Sequence, residues 1–249
     1  MNKPDLALIH GWGLGPGVWE PCAGRLERIA RIHCVDLPGY GDTPDRGESF
    51  IEAARSALET LPDGVILCGW SLGGLLAMQA ALLEPARVAR LILVGSTPSF
   101  AQRDDWTPAQ PPSVLAGFAE AVASDARATL QRFVALFNQG DTKARAIGRE
   151  INQGILSSSP APIPTLLKGL DWLRDIDLRE QVSAIRCPVL LVHGENDPLM
   201  PVAAARWLTE HLLQSQLEVF NGAAHAPFLN NPELFASLVG DFLHATSLD

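Results

Sequence analysis

Gly69-Trp70-Ser71-Leu72-Gly73 follows the apolar run Val65 to Cys68 and leads into the apolar-rich stretch Leu75 to Leu83. The pattern reads as a strand, a sharp turn and a helix. A serine held at such a turn is a candidate nucleophile. The two glycines let the backbone bend and keep side chains off the serine, so its hydroxyl projects above a sheet beside the amide donors of a helix N-terminus.

Working outward, the runs Leu6 to His10, Ile32 to Leu37, Leu91 to Gly95, Val189 to His193 and Leu217 to Asn221 also read as strands, with helix-like stretches between most of them. That alternation predicts an α/β fold with a parallel sheet. Its strands are continuous Val, Ile and Leu because both faces are expected to be covered. Between Thr97 and Val182 the rhythm breaks. This stretch holds two or three helical segments, among them Val114 to Ala123, Ala126 to Gln139 and Lys143 to Leu156, and no convincing strand. Prolines 108, 111 and 112, and again 160, 162 and 164, mark its turns. The expected division is therefore a core of residues 1–97 and 183–249, with residues 98–182 inserted as a helical cap over the carboxyl edge of the sheet.

At 249 residues and 47% hydrophobic, the chain is long and apolar enough to bury a substantial core. A net charge of −9 argues against a nucleic-acid partner, which needs concentrated Lys and Arg. No apolar run approaches bilayer-spanning length, and Met1 to Asp5 shows no export signal, so no membrane role and a cytoplasmic location are expected. Cys22, Cys34, Cys68 and Cys187 are too scattered for a zinc motif or a disulfide framework and read as buried free thiols. The glycines at 11, 13, 15 and 17, with Asp36 ending the next strand, suggest a dinucleotide site, but the spacing fails: the sixth place is Pro16 counted from Gly11 and Val18 counted from Gly13.

A serine hydroxyl needs a base, and the base an acid to orient it. Of six histidines, His225 stands in the small-residue loop Asn221-Gly222-Ala223-Ala224-His225-Ala226-Pro227-Phe228, directly after the final strand. Asp197 stands just past the preceding strand, where a proline follows and favours a turn; capping of the next helix is the bland alternative for it. The chain order Ser71, Asp197, His225 is the nucleophile, acid, base order of the α/β-hydrolase fold. The expected oxyanion donors are the backbone N–H groups of Leu72 and of Trp12, in the His10-Gly11-Trp12 turn. The Trp12 and Trp70 side chains flank this centre and read as apolar pocket walls. The chemistry needs neither metal nor cofactor.

His10-Gly11-Trp12-Gly13, Asp36-Leu37-Pro38-Gly39-Tyr40-Gly41, Gly69 to Gly74 and Ala223-Ala224-His225-Ala226-Pro227-Phe228 together resemble the pimeloyl-[acyl-carrier protein] methyl ester esterases of biotin synthesis. The resemblance extends through Pro98-Ser99-Phe100, Arg103 to Trp106, Val114 to Phe118 and Arg132 to Leu136, and so covers nearly the whole chain. It implies a serine carboxylesterase acting on an ester carried by acyl carrier protein. It also implies an acyl-chain lining of Trp12, Ser71, Leu72, Phe133, Val134, Ala135, Leu136, Phe137 and His225, and a basic cap surface for the acidic carrier. Between Ser124 and Glu150 the basic residues Arg127, Arg132, Lys143, Arg145 and Arg149 outnumber Asp125, Asp141 and Glu150, against the sign of the chain; Arg127, Arg132, Arg145 and Arg149 are the docking candidates. Members of that family usually open with an antiparallel strand pair. Only Met1 to Asp5 precede the first strand here, so a sheet shorter at one edge is expected. A broad short-chain carboxylesterase shares every catalytic residue, and a catalytically silent binding protein shares the fold.

Overall fold

The computed structural model describes residues 3–157 and 160–245. Six parallel strands form one sheet: β1 (Asp5–Ile9), β2 (Arg31–Val35), β3 (Val65–Trp70), β4 (Val88–Val94), β5 (Val189–Gly194) and β6 (Ser215–Phe220), in the order β2-β1-β3-β4-β5-β6. Every residue of β3 and β5 is buried, whereas β2 and β6, at the two edges, are mostly half-exposed. Continuous apolar runs thus mark the strands covered on both faces.

Around the sheet run α1 (Glu20–Leu26), α2 (Phe50–Glu59), α3 (Leu72–Leu83), α4 (Pro112–Ser124), α5 (Ala126–Phe137), α6 (Ala144–Ser157), α7 (Ile163–Asp175), α8 (Val202–His211), the single turn α9 (Pro227–Asn230) and α10 (Pro232–His244). Helix α3 is apolar on nearly every side and buried accordingly, packed on β3 and β4 beneath α2. Helix α2 starts at a capping box: the Ser49 hydroxyl accepts from the Glu52 amide, and the Glu52 carboxylate accepts from the Ser49 amide at 2.8 Å.

Helices α4 to α7 all lie between β4 and β5 and pack chiefly on one another, α4 on α5 and α7, α5 on α6. The last of them is one helix more than the segments marked out in the sequence. Prolines 162 and 164, which suggested turns, begin it: Pro162 is its N-cap and Pro164 lies in its first turn. Proline suits these places because their amides have no partner within a helix. The cysteines also differ from expectation. Cys22 and Cys68 are buried, but Cys34, on the edge strand β2, is exposed and Cys187 is half-buried; all four are free. Burial pushes the Cys22 thiol up to about 12 and Cys187 to about 11.

Because β1 lies between β2 and β3, the chain leaves neighbouring strands β1 and β3 in opposite directions, and a crevice opens at their carboxyl ends. The His10-Gly11-Trp12 turn and Ser71 both lie there.

Candidate active site

Ser71 joins β3 to α3 with φ 57 and ψ −119, and among the described residues it is the one non-glycine residue with positive φ. A side chain in this region costs about 1–3 kcal/mol and persists only where the surroundings impose it. They do so here: the Ser71 amide donates to the Val94 carbonyl at 2.9 Å, while its carbonyl accepts from the Ser96 hydroxyl at 3.0 Å and from the Gly74 and Leu75 amides. The flanking glycines answer to backbone contact instead of to the serine itself. A Cβ on Gly69 would lie 2.3 Å from the Gly73 carbonyl oxygen, and one on Gly73 2.4 Å from that of Ile9. Without side chains, the start of α3 settles directly onto the ends of β1 and β3.

The loop after β6 brings His225 to this edge, and the loop after β5 brings Asp197. His225 Nδ1 and Asp197 Oδ2 are 2.8 Å apart, both side chains wholly buried. The other Asp197 oxygen accepts from the Leu199 and Met200 amides, each at 2.9 Å. Burial works against the Asp197 charge, but the His225 imidazole, with smaller help from His193 and the Met200 amide, holds the carboxyl below the usual carboxylate range. An ionised Asp197 fixes the proton of a neutral His225 on Nδ1 and leaves the lone pair on Nε2. That Nε2 is buried and has no hydrogen-bond partner among the described residues.

His193 lies behind the acid, its Nε2 2.6 Å from the Met200 carbonyl and 3.5 Å from Asp197 Oδ2. Burial holds its imidazole below the ordinary histidine value, against the raising pull of Asp197. Nothing in its strand-end position marked it in the sequence; only the Asp197 turn folding back over β5 brings it near.

The His10-Gly11-Trp12 turn lies against the serine. A Cβ on Gly11 would touch the Trp70 ring at 2.9 Å and Ser71 Cβ at 3.2 Å. His10 clamps the turn: its Nδ1 is 2.8 Å from the Gly11 carbonyl and its Nε2 accepts from the Leu37 amide at 3.1 Å, while the Tyr40 hydroxyl accepts from the Gly13 amide at 2.9 Å. The Trp12 indole donates to the Leu166 carbonyl of α7 at 2.8 Å and meets Phe118 of α4 and Phe133 of α5 edge-on. Trp12 is therefore the point at which three of the inserted helices meet the turn.

Beside Ser71 lies a narrow apolar cavity of about 20 Å³. Of the residues expected around an acyl chain, Trp12, Ser71 and Phe133 line it, joined by Phe100, Val114, Leu115, Phe118, Leu170, Leu173 and Leu199, none of which was expected in that lining. Amphipathic spacing could have flagged Phe118 and Leu170 as inward-facing, though not as facing Ser71. Phe137 packs on Trp70, Phe133 and His225; Leu72 and Val134 are buried; Ala135 is exposed and Leu136 half-buried. Trp70 lies beneath the histidine, its indole donating to the His225 carbonyl at 2.9 Å and its ring against Phe228. A larger cavity of about 620 Å³ opens between Gly13 to Pro21, Tyr40, Leu130 and the end of α6, and contains none of the three triad candidates. Arg132, Arg145 and Arg149 are exposed on α5 and α6, and Arg127 is half-buried. Among the described residues no group of three or more His, Cys, Asp or Glu could hold a metal ion, and no helix is long and apolar enough to cross a membrane.

A sheet of this topology with a serine at the turn after β3, and with aspartate and histidine past the ends of the last two strands, β5 and β6, defines a class of hydrolases. The chain belongs to the alpha/beta hydrolase fold family, whose model matches residues 6–232. It is 42% identical, over 97% of its length and 98% of the relative's, to the pimeloyl-[acyl-carrier protein] methyl ester esterase of Aromatoleum aromaticum. It is also 42% identical to the protein of that name from Yersinia enterocolitica, over 96% of this chain and 92% of the relative. Among solved structures, an esterase from Exiguobacterium antarcticum superposes with a TM-score of 0.89 at 25% identity, covering 98% of this chain and 93% of the other.

Proposed function

We propose that the chain is a serine carboxylesterase that removes the methyl ester from a pimeloyl group carried on acyl carrier protein, in biotin synthesis. The observation that carries the chemistry is the buried His225–Asp197 pair, which leaves one imidazole nitrogen unpartnered at the edge where Ser71 projects. The substrate assignment is supported by full-length likeness to esterases of that name.

Ser71 Oγ attacks the ester carbonyl while His225 Nε2 takes its proton, and the carbonyl π electrons move onto oxygen. The backbone amides of Leu72 and Trp12 receive that oxyanion. Collapse of the intermediate breaks the bond to the methoxy oxygen, which leaves as methanol with the proton from His225. A water then attacks the acyl-serine, giving its proton to the same imidazole, and the ω-carboxylate is released as Ser71 recovers its hydrogen. Throughout, Asp197 holds the tautomer and stabilises the imidazolium.

Residues 98–182 act as the cap over a core of 1–97 and 183–249. The apolar cavity supplies the start of the acyl lining, with Trp12, Phe133 and Phe137 nearest the reacting ester and Trp70, Leu72, Val134, Ala135 and Leu136 supporting or extending it. Room of about 20 Å³ admits roughly one water, so α4, α5 and α7 must part for a methylene chain. The exposed arginines 132, 145 and 149, with Arg127, receive the acidic carrier. Free thiols suit a cytoplasmic setting.

The test compares a carrier-bound pimeloyl methyl ester with a small soluble methyl ester, for the native chain and for Arg145→Ala with Arg149→Ala. The double variant is expected to raise KM for the carrier-bound substrate alone. Equal changes for both esters would remove the carrier from this face. A native preference for short esters, with no rescue of biotin-requiring cells, would make the chain a broad carboxylesterase.

A further inference from the structure

The turn between α5 and α6 holds Asp141, a buried carboxylate with no part in the ester chemistry. Its Oδ2 accepts from the Ala224 amide at 2.9 Å, one residue before His225. Its Oδ1 accepts from the Asn230 side-chain amide at 2.8 Å and from the Lys143 amide at 2.7 Å. Further bonds join the same segments. The Thr142 amide donates to the Gly222 carbonyl at 2.9 Å, and the His225 amide donates to the Phe137 carbonyl at 3.2 Å. On the other side, the Asn196 side chain, next to Asp197, donates to the Gly140 carbonyl at 2.9 Å. One turn of the inserted helices is thus bonded to the loop of the base and to the loop of the acid.

We propose that Asp141 is a positioning residue for His225: by gripping the Ala224 amide it sets where the imidazole stands, and so ties catalysis to the seating of α5 and α6 on the core. The inference rests on His225 being the base. The sequence of the histidine loop is what makes an outside grip necessary. Gly222, Ala223 and Ala224 have no side chain that can hydrogen-bond, so the loop is placed through its backbone groups, and the Ala224 amide has a charged acceptor in Asp141. Without it that buried N–H loses its partner, and the loop is free to shift. A nitrogen that must meet Ser71 Oγ tolerates only a small displacement. Asn230 contributes differently: it braces Asp141 from α9, while the Ala224 amide bonds to the other Asp141 oxygen.

The experiment measures kcat and KM of Asp141→Ala, Asp141→Asn, Asn230→Ala and His225→Ala on a small soluble methyl ester, with circular dichroism to establish folding. Proton NMR adds the strongly deshielded proton shared by Asp197 and His225. Asp141→Ala is expected to lower kcat roughly ten- to a hundredfold with KM within about threefold, and to shift or broaden that proton. Asn230→Ala, which spares the Ala224 bond, is expected to stay within about threefold in kcat and to keep the signal. If Asp141→Ala does not fold, Asp141→Asn is read by the same criteria, since its amide cannot accept all three N–H groups. A folded Asp141 variant with kcat within about twofold of native, or with the shared proton unmoved, overturns the proposal. An active His225→Ala would instead overturn the reading of His225 as base; an inactive His225→Ala beside an unaffected Asp141 variant overturns the positioning role alone.

Discussion

Ser71 is held in a backbone conformation that its own side chain disfavours, and the price is tolerated because the conformation lifts the hydroxyl out of the sheet. Two substitutions separate strain from chemistry. Ser71→Ala keeps the strained φ, folds as the native chain does and loses nearly all turnover. Ser71→Gly also loses turnover but relieves the backbone, so its urea midpoint should rise by an amount worth about 1 kcal/mol. A glycine variant no more stable than the alanine variant would mean that Ser71 is unstrained. Asp197→Asn leaves the Leu199 and Met200 amides an acceptor but no longer fixes the His225 tautomer, and should lower kcat by ~10³ to 10⁴. Turnover near native would remove Asp197 from the relay.

Among the elements, α7 bears most directly on the His10-Gly11-Trp12 turn, because a Cβ on its Gly169 would fall 2.6 Å from Trp12 Cδ1. Glycine to alanine inside a helix normally gains up to about 1 kcal/mol. Here the added methyl meets an indole already tied to the Leu166 carbonyl and flanked by Phe118 and Phe133, so the ring and its amide must move. Gly169→Ala is therefore expected to lower kcat without a gain in melting temperature; a more stable variant with native kcat would show that the Trp12 contact is soft. The same helix marks the limit of what could be read in the sequence. The inner strands were legible as unbroken apolar runs because a sheet covered on both faces demands them, while the half-exposed edge strands β2 and β6 carry polar residues such as His33 and Glu218; Ser71, Asp197 and His225 lie just past the ends of β3, β5 and β6. Helix α7 was obscured by prolines 162 and 164, which punctuate a turn and open a helix equally well. Phe118, Leu170 and Leu199 were not legible as cavity residues. Spacing along a helix tells which face is apolar but not which strand end that face will meet, and the separation between α4 and Ser71 is closed only by packing.

Of the three histidines buried in the molecule, His10, His193 and His225, burial holds the first two below the ordinary histidine value. Burial is the largest influence on His10 and brings it from 6.5 down to about 4, the Gly11 carbonyl opposing only in part. In the unfolded chain the same imidazole binds a proton below about 6.5, so between pH 6.5 and 4 the unfolded state holds more protons and stability rises with pH. The contribution is intact above 6.5 and lost progressively on acidification, about 2 kcal/mol of it by pH 5. Asp197 acts in the same direction but in a lower window: its lowered folded value gives stability that is present above the ordinary carboxylate value of 3.8 and vanishes as pH falls through the folded value. Urea unfolding at pH 7 and pH 5 therefore reports the histidines and not this carboxylate. His10→Asn keeps a polar group near the Gly11 carbonyl, loses the acceptor for the Leu37 amide and is less stable at both pH values. Its loss between them should be smaller than that of the native chain by about 2 kcal/mol. Equal losses for the two proteins would mean that His10 takes up its proton in the folded state and that the clamp on the His10-Gly11-Trp12 turn does not depend on a neutral imidazole.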